Sequence, residues 1–177
     1  MQRLSDEHLI EIFQKNKDGK GQLALGCLYD RYALQMLNYF YYTLHNDINK
    51  SQDFVHDLFI KIIEKHDTFN NSQIFKPWIY RIASNMCKNE FRNGKVVQKY
   101  NDHLKATTDP FELSDETQNL LRQCICQLKQ DQRSLIILRF KMKLTVKEIS
   151  EIFECAEGTI KSRLFYATKK LSELYKV

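Results

Sequence analysis

From Leu25 to Leu44 the large apolar side chains recur at steps of three and four: Leu25, Leu28, Tyr29, Tyr32, Met36, Leu37, Phe40, Tyr41 and Leu44. That is the period of an α-helix with one face against a core, and it leaves this stretch few other choices. The rhythm returns along the chain. Phe54, Val55, Leu58, Phe59, Ile62 and Ile63 mark a second long helix, and Trp78, Ile79, Ile82, Ala83 and Met86 a third. Ser5 is placed to cap a short leading helix carrying Leu9, Ile12 and Phe13. Pro77 falls in the first turn of its helix, where a missing N–H costs nothing. No segment alternates with period two, and 5 Gly and 2 Pro in 177 residues are too few for a fold rich in tight β-turns. The expected class is all-α.

Periodicity lapses in the loop-like Asp67 to Gln73, and for longer over residues 94–113. Beyond that gap Leu120, Leu121, Cys124, Ile125 and Leu128 mark one helix, and Leu135, Ile136 and Leu138 to Phe140 another. Thr145 and Glu148 have the spacing of a capping box, and a last helix from Glu157 or Gly158 to Tyr175 turns Ile160, Leu164, Ala167, Leu171 and Leu174 inward. The chain is therefore expected to form two small helical domains, 1–93 and 114–177, joined by a flexible linker over 94–113.

Several function classes fall away on composition. With 43% apolar and 28% charged residues the chain is globular rather than disordered. Its start, MQRLSDEH, lacks the apolar run of a signal peptide, and the longest stretch without Asp, Glu, Lys or Arg, Tyr32 to Asn46, is too short to span a bilayer. No membrane insertion and a cytoplasmic location are expected. The five cysteines include no C-x-x-C pair, so reduced thiols are expected rather than disulfides or zinc. The five histidines are scattered, and no H-E-x-x-H, P-loop or G-x-S-x-G motif occurs. Neither catalytic residues, metal nor cofactor is expected.

The net charge of +5 is mild, but its distribution is not. Residues 76–99 carry six basic side chains and one acidic, residues 157–177 five and two, and residues 100–116 one and five. Two basic segments thus flank an acidic tether, which suits a polyanionic partner. In the C-terminal one, Thr145 to Phe153 and Gly158 to Leu174 have the lengths of a helix-turn-helix. Its outer face offers Thr159, Lys161, Ser162, Arg163, Phe165, Tyr166, Lys169 and Lys170, groups suited to phosphates, base edges and thymine methyls. An amphipathic hairpin with a solvated basic face reads the same spacing. The turn also departs from the usual pattern, with Glu154 where glycine is common. In the N-terminal basic segment Arg81, Asn85, Lys88 or Asn89, and Arg92 follow one another at helical spacing, with Phe69, Asn70, Asn71 and Ser72 just upstream. Amides, cations and a stacking ring can grip unstacked bases as well as duplex; Trp78 and Phe69 also read as plain core.

The stretches ALGCLYDRY, DFVHDLFIKIIEKHDTF and FKPWIYRIASNMCKNEFRN resemble region 2 of an RNA polymerase sigma factor. The stretch QLKQDQRSLIILRFKMKLTVKEISEIFECAEGTIKSRLFYATKKL resembles region 4. With no middle domain between them, the chain is similar to the extracytoplasmic-function, group IV class. That resemblance implies an alternative sigma factor that binds core RNA polymerase and directs promoter recognition and melting. By it, Asp57, Leu58, Phe59, Lys61 and Ile62 would dock on core polymerase, although Leu58 and Ile62 equally suit a core. Phe69 and Asn85 would line a pocket for a flipped −10 base, with Asn70, Asn71, Arg81, Lys88, Asn89 and Arg92 along the single strand. Thr159, Lys161, Ser162, Arg163, Phe165, Tyr166 and Lys169 would meet the −35 element. Lys161 and Tyr166 stand where relatives often have Arg, and neither forms the bidentate fork of Arg on guanine. Further implied partners are promoter DNA and an anti-sigma factor, whose footprint would be apolar surface between the domains. The competing reading is a stand-alone helix-turn-helix regulator.

Overall fold

The computed structural model describes residues 1, 3–16, 18–70, 72–93 and 116–176, with backbone alone at 116–119. The regular structure among them is helical: α1 (Asp6–Lys15), α2 (Gly19–Thr43), α3 (Ile48–Lys65), a 3-10 turn (His66–Thr68), α4 (Phe75–Arg92), α5 (Glu116–Gln127), α6 (Gln130–Ile136), α7 (Val146–Phe153) and α8 (Glu157–Tyr175). A π-helical segment, Ile137–Lys141, continues α6. The linker expected over 94–113 lies outside the described residues.

Local chemistry sets the helix starts. Ser5, Asp18 and Asp47 accept backbone N–H bonds at the heads of α1, α2 and α3. α4 has no such residue at its own head; Glu7 of α1 reaches across instead, accepting from Phe75 N at 3.0 Å. α1 is in turn held to α2 through Asp6, which pairs with Arg31 and accepts from the Tyr32 hydroxyl.

Both halves feed one apolar core. Leu58, Ile62, Phe75, Trp78 and Ile79 from the N-terminal half belong to the same buried cluster as Leu138, Leu144, Ile149, Ile152 and Ile160 from the C-terminal half. This explains why Tyr39, Phe40, Tyr41, Tyr42 and Leu44 are all buried at the end of α2. One side of that turn packs on its own half and another meets the π-segment and α6. A helix apolar all round is a helix covered all round. A smaller cluster of Leu128, Ile136 and Ala167, backed by Ile125, Leu171 and Leu174, seats α8 on α5 and α6.

One buried cation binds the halves together. Arg133 of α6 is 4% exposed. Its guanidinium donates to Cys126 O at 2.6 Å, Leu128 O at 3.1 Å and Ile125 O at 3.3 Å, at the end of α5. It also reaches Thr43 O at 3.3 Å and the His45 ring at 2.8 Å, at the end of α2. Helix C-termini present carbonyls and the negative end of the dipole, so one fork of donors serves two of them.

Candidate nucleic-acid interface

α8 is the simpler of the two basic elements. Ile160, Leu164 and Ala167 are buried. That anchors the helix so that Lys161, Ser162, Arg163, Phe165, Tyr166 and Lys169 are exposed and Thr159 is half-buried. Phe165 and Tyr166 are 64% and 62% exposed, with ring centroids 5.5 Å apart. Large aromatics left so open on a basic helix have no packing role within the chain. The helix before it is built as its spacing predicts. Thr145 Oγ1 accepts from Glu148 N at 3.1 Å, and Glu148 Oε2 accepts from Thr145 N at 2.7 Å, completing the capping box. The turn residue Glu154 takes a left-handed conformation, φ 51°, the geometry for which glycine is favoured.

α4 is more involved. Asn85, Asn89 and Arg92 are exposed. Arg81 and Lys88 are not open: α7 lies against them. Arg81 pairs with Glu154 at 2.7 Å, Lys88 stands 4.8 Å over the Phe153 ring, and Lys76 pairs with Glu148 at 3.1 Å. Burial works against the Glu148 carboxylate, but bonds from Thr145 and the Lys76 charge outweigh it and hold its pKa below the ordinary value.

Three expectations change. Phe69 is 4% exposed, packed edge-on to Phe75 and Trp78 at 5.8 and 5.2 Å, so its ring is core rather than an open stacking platform. Asn70 is exposed, but its Oδ1 holds the turn, accepting from Ser72 N and Ser72 Oγ, each at 3.0 Å. Asn71 lies outside the described residues. On α3, Leu58, Phe59 and Ile62 are buried beneath the helix, because α2 and α4 cover that stripe. Among the residues α3 shows outward are Asp57, the partly exposed Lys61, and Ile60 and Ile63, which are 52% and 46% exposed.

Other residues that build the interface carry no motif. Gln14 of α1 donates to His66 O at 2.6 Å and Phe69 O at 2.9 Å, tethering the loop before α4. Arg133 was equally silent, although an arginine two positions before the apolar run Leu135 to Leu138 is its one trace. Within the C-terminal half, among α5, the π-segment and α8, lies an apolar cleft of about 730 Å³, lined by Leu121, Ile125, Phe140 and Leu171 among others and bordered by Tyr42 at the end of α2. Among the described residues no group of three or more His, Cys, Asp or Glu could hold a metal ion, and no helix is long and apolar enough to cross a membrane.

Residues 28–96 match the family described as "Sigma-70 region 2", and residues 118–171 match "Sigma-70, region 4". The chain is 30% identical over 185 residues to the "ECF RNA polymerase sigma-E factor" of Haemophilus influenzae, spanning 96% of this chain and 95% of that protein. It is 28% identical over 183 residues to the "RNA polymerase sigma-H factor" of Pseudomonas aeruginosa, spanning 95% and 92%. Among solved structures, CnrH in complex with the cytosolic domain of CnrY shares the fold, with a TM-score of 0.69 at 18% identity over 97% of both chains. The sigma factor RpoE, in complex with the anti-sigma factor NepR from Bartonella quintana, has a TM-score of 0.65 at 27% identity, covering 85% of this chain and 97% of that one.

Proposed function

Because this chain belongs to the extracytoplasmic-function family of RNA polymerase sigma factors, we propose that it binds core RNA polymerase, brings it to promoters and promotes strand opening. The observation that carries the reading is α8, which turns Lys161, Ser162, Arg163, Phe165, Tyr166 and Lys169 to solvent from a helix-turn-helix frame. These residues meet the −35 element in the major groove. Asn85, Asn89 and Arg92, joined by Arg81 and Lys88, hold the −10 strand. The work is binding rather than covalent chemistry: a preference for the opened strand shifts the duplex toward it. Neither basic helix binds strongly alone, since salt screens a few phosphate contacts; on polymerase both engage together.

Core polymerase docks on the outer face of α3, at Asp57, Ile60, Lys61 and Ile63, while Leu58, Phe59 and Ile62 hold that helix from beneath. An anti-sigma factor is the further partner, with the apolar cleft among α5, the π-segment and α8 as its footprint. The partner is supported by the structural neighbour RpoE, which is in complex with the anti-sigma factor NepR. A stand-alone regulator would leave α3 and α4 without a task, and nothing in the geometry favours it.

The test is reconstitution of the purified chain with bacterial core polymerase on a genomic promoter library. Promoter-selective transcripts are expected, and their absence would sink the reading. In the same assay Asn85→Ala should impair open-complex formation more than closed-duplex binding. Equal loss in both would remove Asn85 from strand capture.

A further inference from the structure

The loop between the 3-10 turn that ends at Thr68 and the head of α4 at Phe75 lies along the opened strand in the sigma-factor reading. Its own bonds are short-range: Asn70 Oδ1 accepts from Ser72 N, and Gln73 N donates to Asn70 O at 2.8 Å. Both of its ends are held by α1, from 52 to 68 positions away in the chain. At the entry, the Gln14 amide donates to His66 O at 2.6 Å and to Phe69 O at 2.9 Å, and the Phe13 ring stands edge-on to the His66 ring at 5.1 Å. At the exit, Glu7 Oε1 accepts from Phe75 N at 3.0 Å. We propose that α1 is a brace for this loop, with Gln14 and Glu7 as positioning residues that preset it for the unpaired strand. This deepens the sigma-factor reading and rests on it.

The geometry of α1 fits the task. Glu7 and Gln14 stand two turns apart on one face of the helix, about 10 Å along its axis. The helix is itself fixed: Leu9 and Ile10 are fully buried, and Asp6 pairs with Arg31 and accepts from the Tyr32 hydroxyl. The bonds it makes go to groups that the loop's neighbours leave unpartnered. α4 has no side-chain cap at Ile74, so a carboxylate from another element meets the positive end of its dipole. His66 closes α3, where carbonyls lack helical partners, and the Gln14 amide joins that carbonyl to the loop beyond it. Between the anchors the Phe69 ring is turned into the core, while Asn70 and Ile74 stay exposed, Ile74 by 51%. Ordering a loop at the moment of binding costs conformational entropy for each residue fixed. A loop held by α1 has lost that freedom during folding, so Gln14 and Glu7 act on strand capture without touching the strand.

The test uses the full-length chain on core polymerase, with a promoter recovered from the reconstitution. Two affinities are read: one for that promoter as closed duplex in the cold, the other for the fluorescent non-template strand of its −10 segment. Gln14→Leu keeps size and charge but removes the donor. It should weaken strand binding about five- to twentyfold and leave closed-duplex binding nearly unchanged. Glu7→Ala and Glu7→Gln remove the same charge, and only the second keeps an acceptor for Phe75 N. Glu7→Ala should lose strand binding on the same scale, and Glu7→Gln should keep most of it. Parallel loss of both affinities would make these bonds structural only and overturn the brace. So would strand binding that Gln14→Leu leaves intact, or that is equal in the two Glu7 variants. Should Gln14→Leu fail to fold, the Glu7 pair decides alone. If the unaltered chain gives no promoter-selective transcription, the sigma-factor reading fails and the brace with it. If it does and the variants still capture the strand, only the brace fails.

Discussion

Arg133 and His45 show how one contact can tie two halves together. The His45 ring sits where α2 ends, in a left-handed backbone conformation at φ 59°, against the Arg133 guanidinium and edge-on to Phe91. Burial, then the charges of Arg133 and Lys50, push its pKa down from 6.5 to about 4. The unfolded chain takes up a proton there as pH falls through 6.5, and the folded chain does so only near 4. The stability that depends on neutral His45 is therefore complete above pH 6.5 and drains away between 6.5 and 4. Glu148, with its pKa lowered, weakens the fold only below 4.5, so its effect falls mostly under that window. The urea midpoint of the protein should drop between pH 7.5 and pH 5, and His45→Asn, which tolerates the same backbone, should flatten that slope. An unchanged slope would show that His45 stays clear of Arg133 in solution. No pattern in the sequence announced this pair, whose members are 88 positions apart.

At the scale of elements, α7 does three things with eight residues. It seats Ile149 and Ile152 in the shared core, frames α8, and carries the contacts to α4. Its capping box is the hinge of all three, since Glu148 serves both the cap and Lys76. Thr145→Ala should cost about 1 kcal/mol of stability in urea unfolding. It should also loosen the Lys76 pair, so the substitutions Thr145→Ala and Lys76→Met should combine non-additively. Strict additivity would show that the cap and the interface are independent. The capping box was legible in the sequence because its partners lie three residues apart. The π-segment was not: Met142 N reaches Ile137 O at 2.9 Å, and no residue in that run signals the wider turn. α3 was half legible. Its apolar stripe was plain, but a stripe that packs and a stripe that docks have the same period, and only packing put Leu58, Phe59 and Ile62 inside.

The largest apolar cluster of the whole molecule runs through both halves, so the two are expected to unfold together. Urea unfolding followed by the lone Trp78, buried in the N-terminal half, should coincide with unfolding followed by helical circular dichroism from the entire chain. Two separated transitions would show that the halves fold independently. The all-α class, the caps at Ser5 and Thr145, the two basic helices and the family resemblance were legible in the sequence alone, and the helix-turn-helix was legible beside the alternative of an amphipathic hairpin. Each rests on residues within a few turns of one another, where spacing and charge are themselves the physics. The closure of one half on the other, the burial of Phe69, the engagement of Arg133 and the covering of Arg81 and Lys88 by α7 came only with the tertiary structure. A helical period shows which face is apolar or charged, but what covers that face depends on segments distant in the chain.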